Sequence, residues 1–79
     1  MARVLMFGRL ADAAGWRERV IEATTLSALT ALLTAEDPDL GEALSAKGVQ
    51  IALDQTVTRG DAPLTAASEV AYLPPMSGG

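Results

Sequence analysis

The residues best placed to do chemistry in this sequence stand at its end, Pro74-Pro75-Met76-Ser77-Gly78-Gly79. Each proline fixes φ and removes an N–H donor, so the backbone leaves the domain stiffened. Gly78 and Gly79 bring no side chains, and glycine loses more conformational freedom on ordering than any other residue. A Gly-Gly end therefore adds nothing to the stability of a fold. It suits a terminus that enters a narrow channel in another protein and presents the Gly79 carboxylate to chemistry there. Six extended residues reach roughly 20 Å, at about 3.3 Å each, enough to cross an active-site cleft. Taken alone, the same residues fit equally an ordinary frayed terminus or an appended remnant. What precedes them decides the matter.

The rest of the chain is poor in catalytic groups. The 79 residues contain no cysteine, which excludes disulfides, thiolate catalysis and cysteine-ligated metals. They contain no histidine, the side chain whose ordinary pKa suits acid–base work near neutrality. No metal site is expected: the acidic cluster Glu36-Asp37-Pro38-Asp39 matches no calcium loop, and a solvated acidic corner is the better reading. No bound cofactor is expected either. A formal net charge of −4 argues against a nucleic-acid partner. No run of about 18 apolar residues is present to span a membrane, and Met1 leads directly into a strand-like run, so a cytoplasmic location without membrane attachment is expected. The chain is poorly equipped to be an enzyme alone, and the missing groups must come from partners.

The elements that position the tail read as one small α+β domain over residues 1–73, with residues 74–79 as a flexible functional tail. Arg3-Val4-Leu5-Met6-Phe7 predicts a first strand without polar alternation, so both faces meet something. Val4 and Met6 share one face, Leu5 and Phe7 the other. Residues 8–15 form a loop with about one helical turn closed by Gly15. Residues 16–22 predict a second strand antiparallel to the first, with Trp16 packing at its end. Thr25 is the N-cap of the main helix, whose stripe Leu26, Leu29, Leu32 and Leu33 is expected in the core. Pro38 ends that helix, and residues 40–46 predict a short second helix capped by Lys47-Gly48. Residues 49–53 and 56–58 form a hairpin about Asp54-Gln55. Arg59-Gly60-Asp61 is a turn, with no reason to read it as an adhesion motif. Residues 69–73 are the last strand, Val70 and Tyr72 on one face and Ala71 and Leu73 on the other. The long helix must cross the sheet to bury its stripe.

These residues carry a specific likeness. Val4-Leu5-Met6-Phe7 followed by Arg9-Leu10 and Ala14-Gly15, the turn Ile51-Ala52-Leu53-Asp54-Gln55, Pro63-Leu64, and above all Glu69-Val70-Ala71-Tyr72-Leu73-Pro74-Pro75-Met76-Ser77-Gly78-Gly79 resemble the small subunit of molybdopterin synthase. That is the MoaD-type sulfur carrier of the ubiquitin-like class. The resemblance runs end to end. It departs at Asp54, where the family often has Asn, and at Ala67-Ser68, where a Gly-Asp pair is common; neither change touches the tail.

The resemblance implies a ubiquitin-like β-grasp, a mixed sheet of about five strands crossed by one main helix. It implies a role in molybdenum cofactor biosynthesis as part of a heterotetrameric synthase, a sulfurtransferase in which this chain is carrier rather than catalyst. An ATP-dependent, E1-like activating enzyme would adenylate Gly79, the ATP being that enzyme's substrate. A sulfur donor would convert the adenylate to a thiocarboxylate. Pro74, Pro75, Met76, Ser77, Gly78 and Gly79 would enter the synthase large subunit, where the thiocarboxylate attacks a cyclic pyranopterin precursor to build the dithiolene. Phe7, Val57 and Leu73 would contact that subunit. Strand parity gives the same surface independently: with Val4, Met6, Val70 and Tyr72 under the helix, Leu5, Phe7, Ala71 and Leu73 form an apolar patch opposite, which Val57 joins. A second small core under a loop is the competing account of that patch. Carriers for thiazole, cysteine or tRNA thiolation, and ubiquitin-like modifiers that form amide bonds to lysines, share the Gly-Gly end and remain alternatives, as does a plain interaction module.

Overall fold

The computed structural model describes residues 1–75. The elements run β1 (Ala2–Met6), α1 (Arg9–Ala14), β2 (Glu18–Ile21), α2 (Leu26–Glu36), α3 (Pro38–Leu44), β3 (Gln50–Leu53), β4 (Thr56–Thr58) and β5 (Glu69–Leu73). The five strands form one mixed sheet in the order β2-β1-β5-β3-β4. β1 runs antiparallel to β2 and parallel to β5, and β3 runs antiparallel to both β4 and β5. The two strongly apolar strands, β1 and β5, are thus neighbours, and the chain's last strand lies at the sheet's centre.

Local chemistry sets the turns. Thr25 caps α2, its Oγ1 accepting from the Ala28 N–H at 3.1 Å. Asp61 supports the same end from the β4–β5 connection: one carboxylate oxygen accepts from the Ser27 N–H at 2.9 Å and the other from the Ser27 hydroxyl at 2.7 Å. These bonds hold the Asp61 carboxyl below the usual carboxylate range. The Arg-Gly-Asp turn therefore has a structural role, tying the connection to the helix. In the β3–β4 hairpin, Asp54 and Gln55 both adopt left-handed φ, 51° and 69°, as a two-residue turn matched to the strand twist demands. Asp54 gains a further bond there, its Oδ1 accepting from the Glu69 N–H at 2.9 Å.

The core lies between one sheet face and the helices. Val4, Met6, Val70 and Tyr72 are buried beneath Leu26, Leu29 and Leu33 of α2, with Leu10 of α1 and Leu40 and Leu44 of α3 closing the sides. Leu32 departs from the expected stripe and is 38% exposed. At about 100° per residue, a position six beyond Leu26 lies about 120° around the helix from it, outside the apolar face. The short helix also begins earlier than expected, at Pro38 rather than residue 40, and is capped at Ser45 rather than Lys47-Gly48. Asp37 ends α2 and caps α3 at once, its Oδ1 accepting from the Leu40 N–H at 3.3 Å. Pro38 then takes the first helical position, where a missing N–H costs nothing. The loop after β1 holds a full six-residue helix rather than a single turn.

Candidate functional site

Because β5 is central, the chain leaves the middle of the sheet's end rather than its edge. Met6 pairs with Tyr72, and Gln50 with Leu73, so Pro74 and Pro75 emerge between the end of β1 and the start of β3. Two glycines flank them. A Cβ on Gly8 would stand 3.0 Å from Pro74 Cγ, and one on Gly48 would stand 3.0 Å from Pro75 Cβ. Both glycines have left-handed φ, +54° and +93°, which side chains disfavour. Glycine at these positions lets the prolines seat closely and fixes where the tail starts. Met76, Ser77, Gly78 and Gly79 lie outside the described residues.

Beside this exit, the sheet face opposite α2 carries Leu5, Phe7, Ala71 and Leu73, as parity requires. The register gives one continuous row across four strands: Leu5 pairs with Ala71, Ala71 with Ala52, and Ala52 with Val57. The two alanines keep the centre shallow. Phe7 is 45% and Val57 49% exposed, and Leu73 is half-buried. Phe7 and Leu73 stand at the tail end of the face. The other end is charged: Arg3 bonds Glu18 at 2.6 Å and Glu69 at 3.4 Å. The face thus grades from a polar clasp to an apolar patch at the root of the tail. The structure brings Pro74, Pro75, Phe7 and Leu73 together at one end of the sheet, with Val57 at the edge strand β4. Sequence reasoning missed the part these two glycines play: Gly8 lies two residues beyond β1, and Gly48, expected only as a helix cap, lies two residues before β3.

Among the described residues the other hollows and side-chain clusters offer no competing chemistry. A hollow of about 640 Å³ runs on the helix side between Ser27, Thr30, Ala31 and Thr34 of α2 and Ile51. Its one carboxylate, Asp61, is already engaged with Ser27. Among the described residues no cluster of acidic, histidine or cysteine side chains could hold a metal ion, and no helix is long and apolar enough to cross a membrane. Trp16 packs against the core with the Arg19 guanidinium 5.1 Å above its ring, as strand-end packing.

A parallel β1–β5 pair at the centre of a five-stranded mixed sheet, gripped by one main helix, defines the ubiquitin-like β-grasp class. Within that class the chain belongs to the ThiS family of sulfur carriers, whose family model matches residues 4–79. The fold is similar to small archaeal modifier protein 1 (SAMP1) from Haloferax volcanii, at TM-score 0.82 and 21% identity over 99% of this chain and 98% of that one. It is similar to SAMP1 from Methanosarcina acetivorans, at TM-score 0.82 and 24% identity over 99% and 95%. It is also similar to a chain in the complex of subunits 1 and 2 of molybdopterin-converting factor from Helicobacter pylori 26695, at TM-score 0.73 and 26% identity over 99% and 97%. No curated protein sequence matches it significantly.

Proposed function

We propose that this chain is the sulfur-carrying small subunit of molybdopterin synthase. The observation that carries the reading is the apolar patch of Phe7 and Leu73, exposed or half-buried at the root of a Pro-Pro-Met-Ser-Gly-Gly end. A carrier needs a docking surface beside its reactive arm, and an uncovered apolar patch at the root of the tail supports that reading. The likeness to a complex of two molybdopterin-converting factor subunits supports a large-subunit partner.

The chemistry follows from the terminus. An ionised carboxylate is a poor electrophile with no leaving group, and its ordinary pKa is about 3.3–3.7, so it is ionised at neutral pH. An activating enzyme joins the Gly79 carboxylate to AMP, releasing pyrophosphate from ATP. A sulfide equivalent attacks the acyl carbon and AMP leaves, giving a thiocarboxylate. The sulfur is then nucleophilic although the chain has no cysteine. Patch and tail deliver it to the large subunit, which supplies the catalytic side chains and the pyranopterin precursor. Two sulfurs per dithiolene require two charged carriers in turn.

A second reading is favoured by the fold likeness to two small archaeal modifier proteins: the same adenylate would pass to a lysine amine. Intact-protein mass spectrometry after incubation with the activating enzyme, ATP and sulfide separates the outcomes. The expected result is exchange of one oxygen for sulfur at Gly79, and turnover of the precursor only when the large subunit is added. Loading with sulfur but no turnover of the precursor removes the molybdopterin pathway. Amide adducts on lysines in place of the thiocarboxylate favour the modifier.

A further inference from the structure

The chain is acidic overall, yet its cations are not scattered. Of its six basic side chains, Arg3 is held by Glu18 and Glu69, and Arg19 by Glu36 at 2.8 Å. The other four, Arg9, Arg17, Lys47 and Arg59, are all exposed. Among the described residues none of the four forms an ion pair. All four surround the tail exit. Arg9 follows Gly8 and Lys47 precedes Gly48, the two glycines that seat Pro74 and Pro75. Arg17 shares a hollow of about 170 Å³ with Phe7 and Gly8. Arg59 shares one of about 380 Å³ with Gly48 and Gln50. Glu18, which also lines the Arg17 hollow, is already bound to Arg3.

We propose that Arg9, Arg17, Lys47 and Arg59 form a cationic collar that recognises a carboxylate-rich protein rim around the channel receiving the tail. The channel rests on the carrier reading above; the charge pattern is the chain's own. Arg17 stands just before β2 and Arg59 just after β4, the two outer strands. Four inter-strand spacings of about 4.8 Å separate them, roughly 19 Å. That is broader than the phosphates of one nucleotide. The collar is also at the root of the tail, whereas the acyl chemistry belongs at Gly79, up to about 16 Å further along an extended chain. A phosphate of the adenylating reaction is therefore not its ligand. Nucleic acid would be repelled by the −4 chain as a whole. An acidic protein rim fits the width, the sign and the position. It would steer the encounter and centre the tail on the opening, an effect on association rate more than on residence time.

The test compares two double variants that lower the net charge equally. R17Q/R59Q removes two collar charges. A66E/A67E adds two negative charges in the exposed loop before β5, at the opposite end of the sheet. Association with the purified molybdopterin synthase large subunit of the same organism is followed by stopped flow. At about 50 mM salt the collar variant associates about tenfold more slowly than wild type and the control less than about twofold; the gap closes near 0.5 M salt. A nuclear magnetic resonance titration with poly-L-glutamate at low salt uses no carrier partner. It shifts the amides of Arg9, Arg17, Lys47 and Arg59 in the wild type, and those of residues 17 and 59 stay still in R17Q/R59Q. Equal slowing by both double variants overturns the collar, as does poly-L-glutamate that leaves these amides unmoved or duplex DNA that moves them more. A large subunit that ignores the wild-type chain altogether sinks the molybdopterin synthase reading instead, and the titration then decides the collar alone.

Discussion

The two faces of the sheet are built from the same strands and much the same kinds of residue, yet they meet opposite fates. On β1 and β5, Val4, Met6, Val70 and Tyr72 are 0–3% exposed beneath the helices. Their immediate neighbours Leu5, Phe7 and Leu73 remain half-buried or exposed on the other side. A strand turns alternate side chains to opposite faces, so a continuous apolar run of four residues, Val4 to Phe7 or Val70 to Leu73, supplies a core and an uncovered apolar patch at once. A chain of this length has one main helix to cover a sheet, and the second face is left uncovered by the chain's own helices. Where the tail leaves, the two faces differ in what covers them more than in composition; only at the far end does the open face turn charged, at Arg3, Glu18 and Glu69.

That contrast can be broken from either side. The largest expected effect is on the covered face. Leu33 is fully buried in α2 over the sheet, and Leu33→Ala should lower the unfolding free energy by about 3 kcal/mol, read from urea denaturation, through lost burial and a residual cavity. Phe7→Ala is the matching change on the open face. With 45% of Phe7 already exposed, stability should fall by less than about 1 kcal/mol. Affinity for the large subunit should fall by about 2 kcal/mol, near thirtyfold, if Phe7 anchors the contact. A collapse of thermal stability in Phe7→Ala, comparable to that of Leu33→Ala, would mean that the open face is a second core and that the docking reading fails.

Most of this architecture was legible because it rests on short periods. The alternation along β1 and β5 assigned each residue to its face, and Thr25 before Leu26 marked the start of α2. The strongly apolar character of β1 and β5 suited both to the sheet's centre, where they lie; the pairing of β5 to β1 on one side and β3 on the other was not legible, since it joins segments well separated along the chain. Leu32 was misplaced by treating a six-residue step as part of a stripe that recurs at three, four and seven. Pro38 was read only as a stop, although the same geometry that ends one helix can open the next. Asp61 carried no local sign of its bond to Ser27, 34 residues earlier. At the tail exit, Pro74 and Pro75 were legible as stiffeners, but the glycines seating them were not, because the contact depends on strand order.

The smallest effect sits where the covered face borders the helix-side hollow. The Tyr72 ring is fully buried, and its hydroxyl lies 2.8 Å from the hydroxyl of Thr30, a residue lining that hollow. Tyr72→Phe keeps the ring and loses one neutral hydrogen bond, which should cost about 1 kcal/mol at pH 7. Burial also pushes the Tyr72 phenol above its ordinary pKa, against the opposing pull of Thr30. The folded chain therefore keeps its proton where the unfolded chain, titrating near pH 10, gives it up. Stability from this group is complete below about pH 10 and is lost as pH rises through the folded value. Wild type should lose stability on the alkaline side by a route closed to Tyr72→Phe, so the gap between the two should narrow from pH 7 to about pH 11 in urea midpoints. A gap that stays constant over that range would show the phenol titrating alike in both states, and the boundary between covered face and hollow would then be open to water at Tyr72.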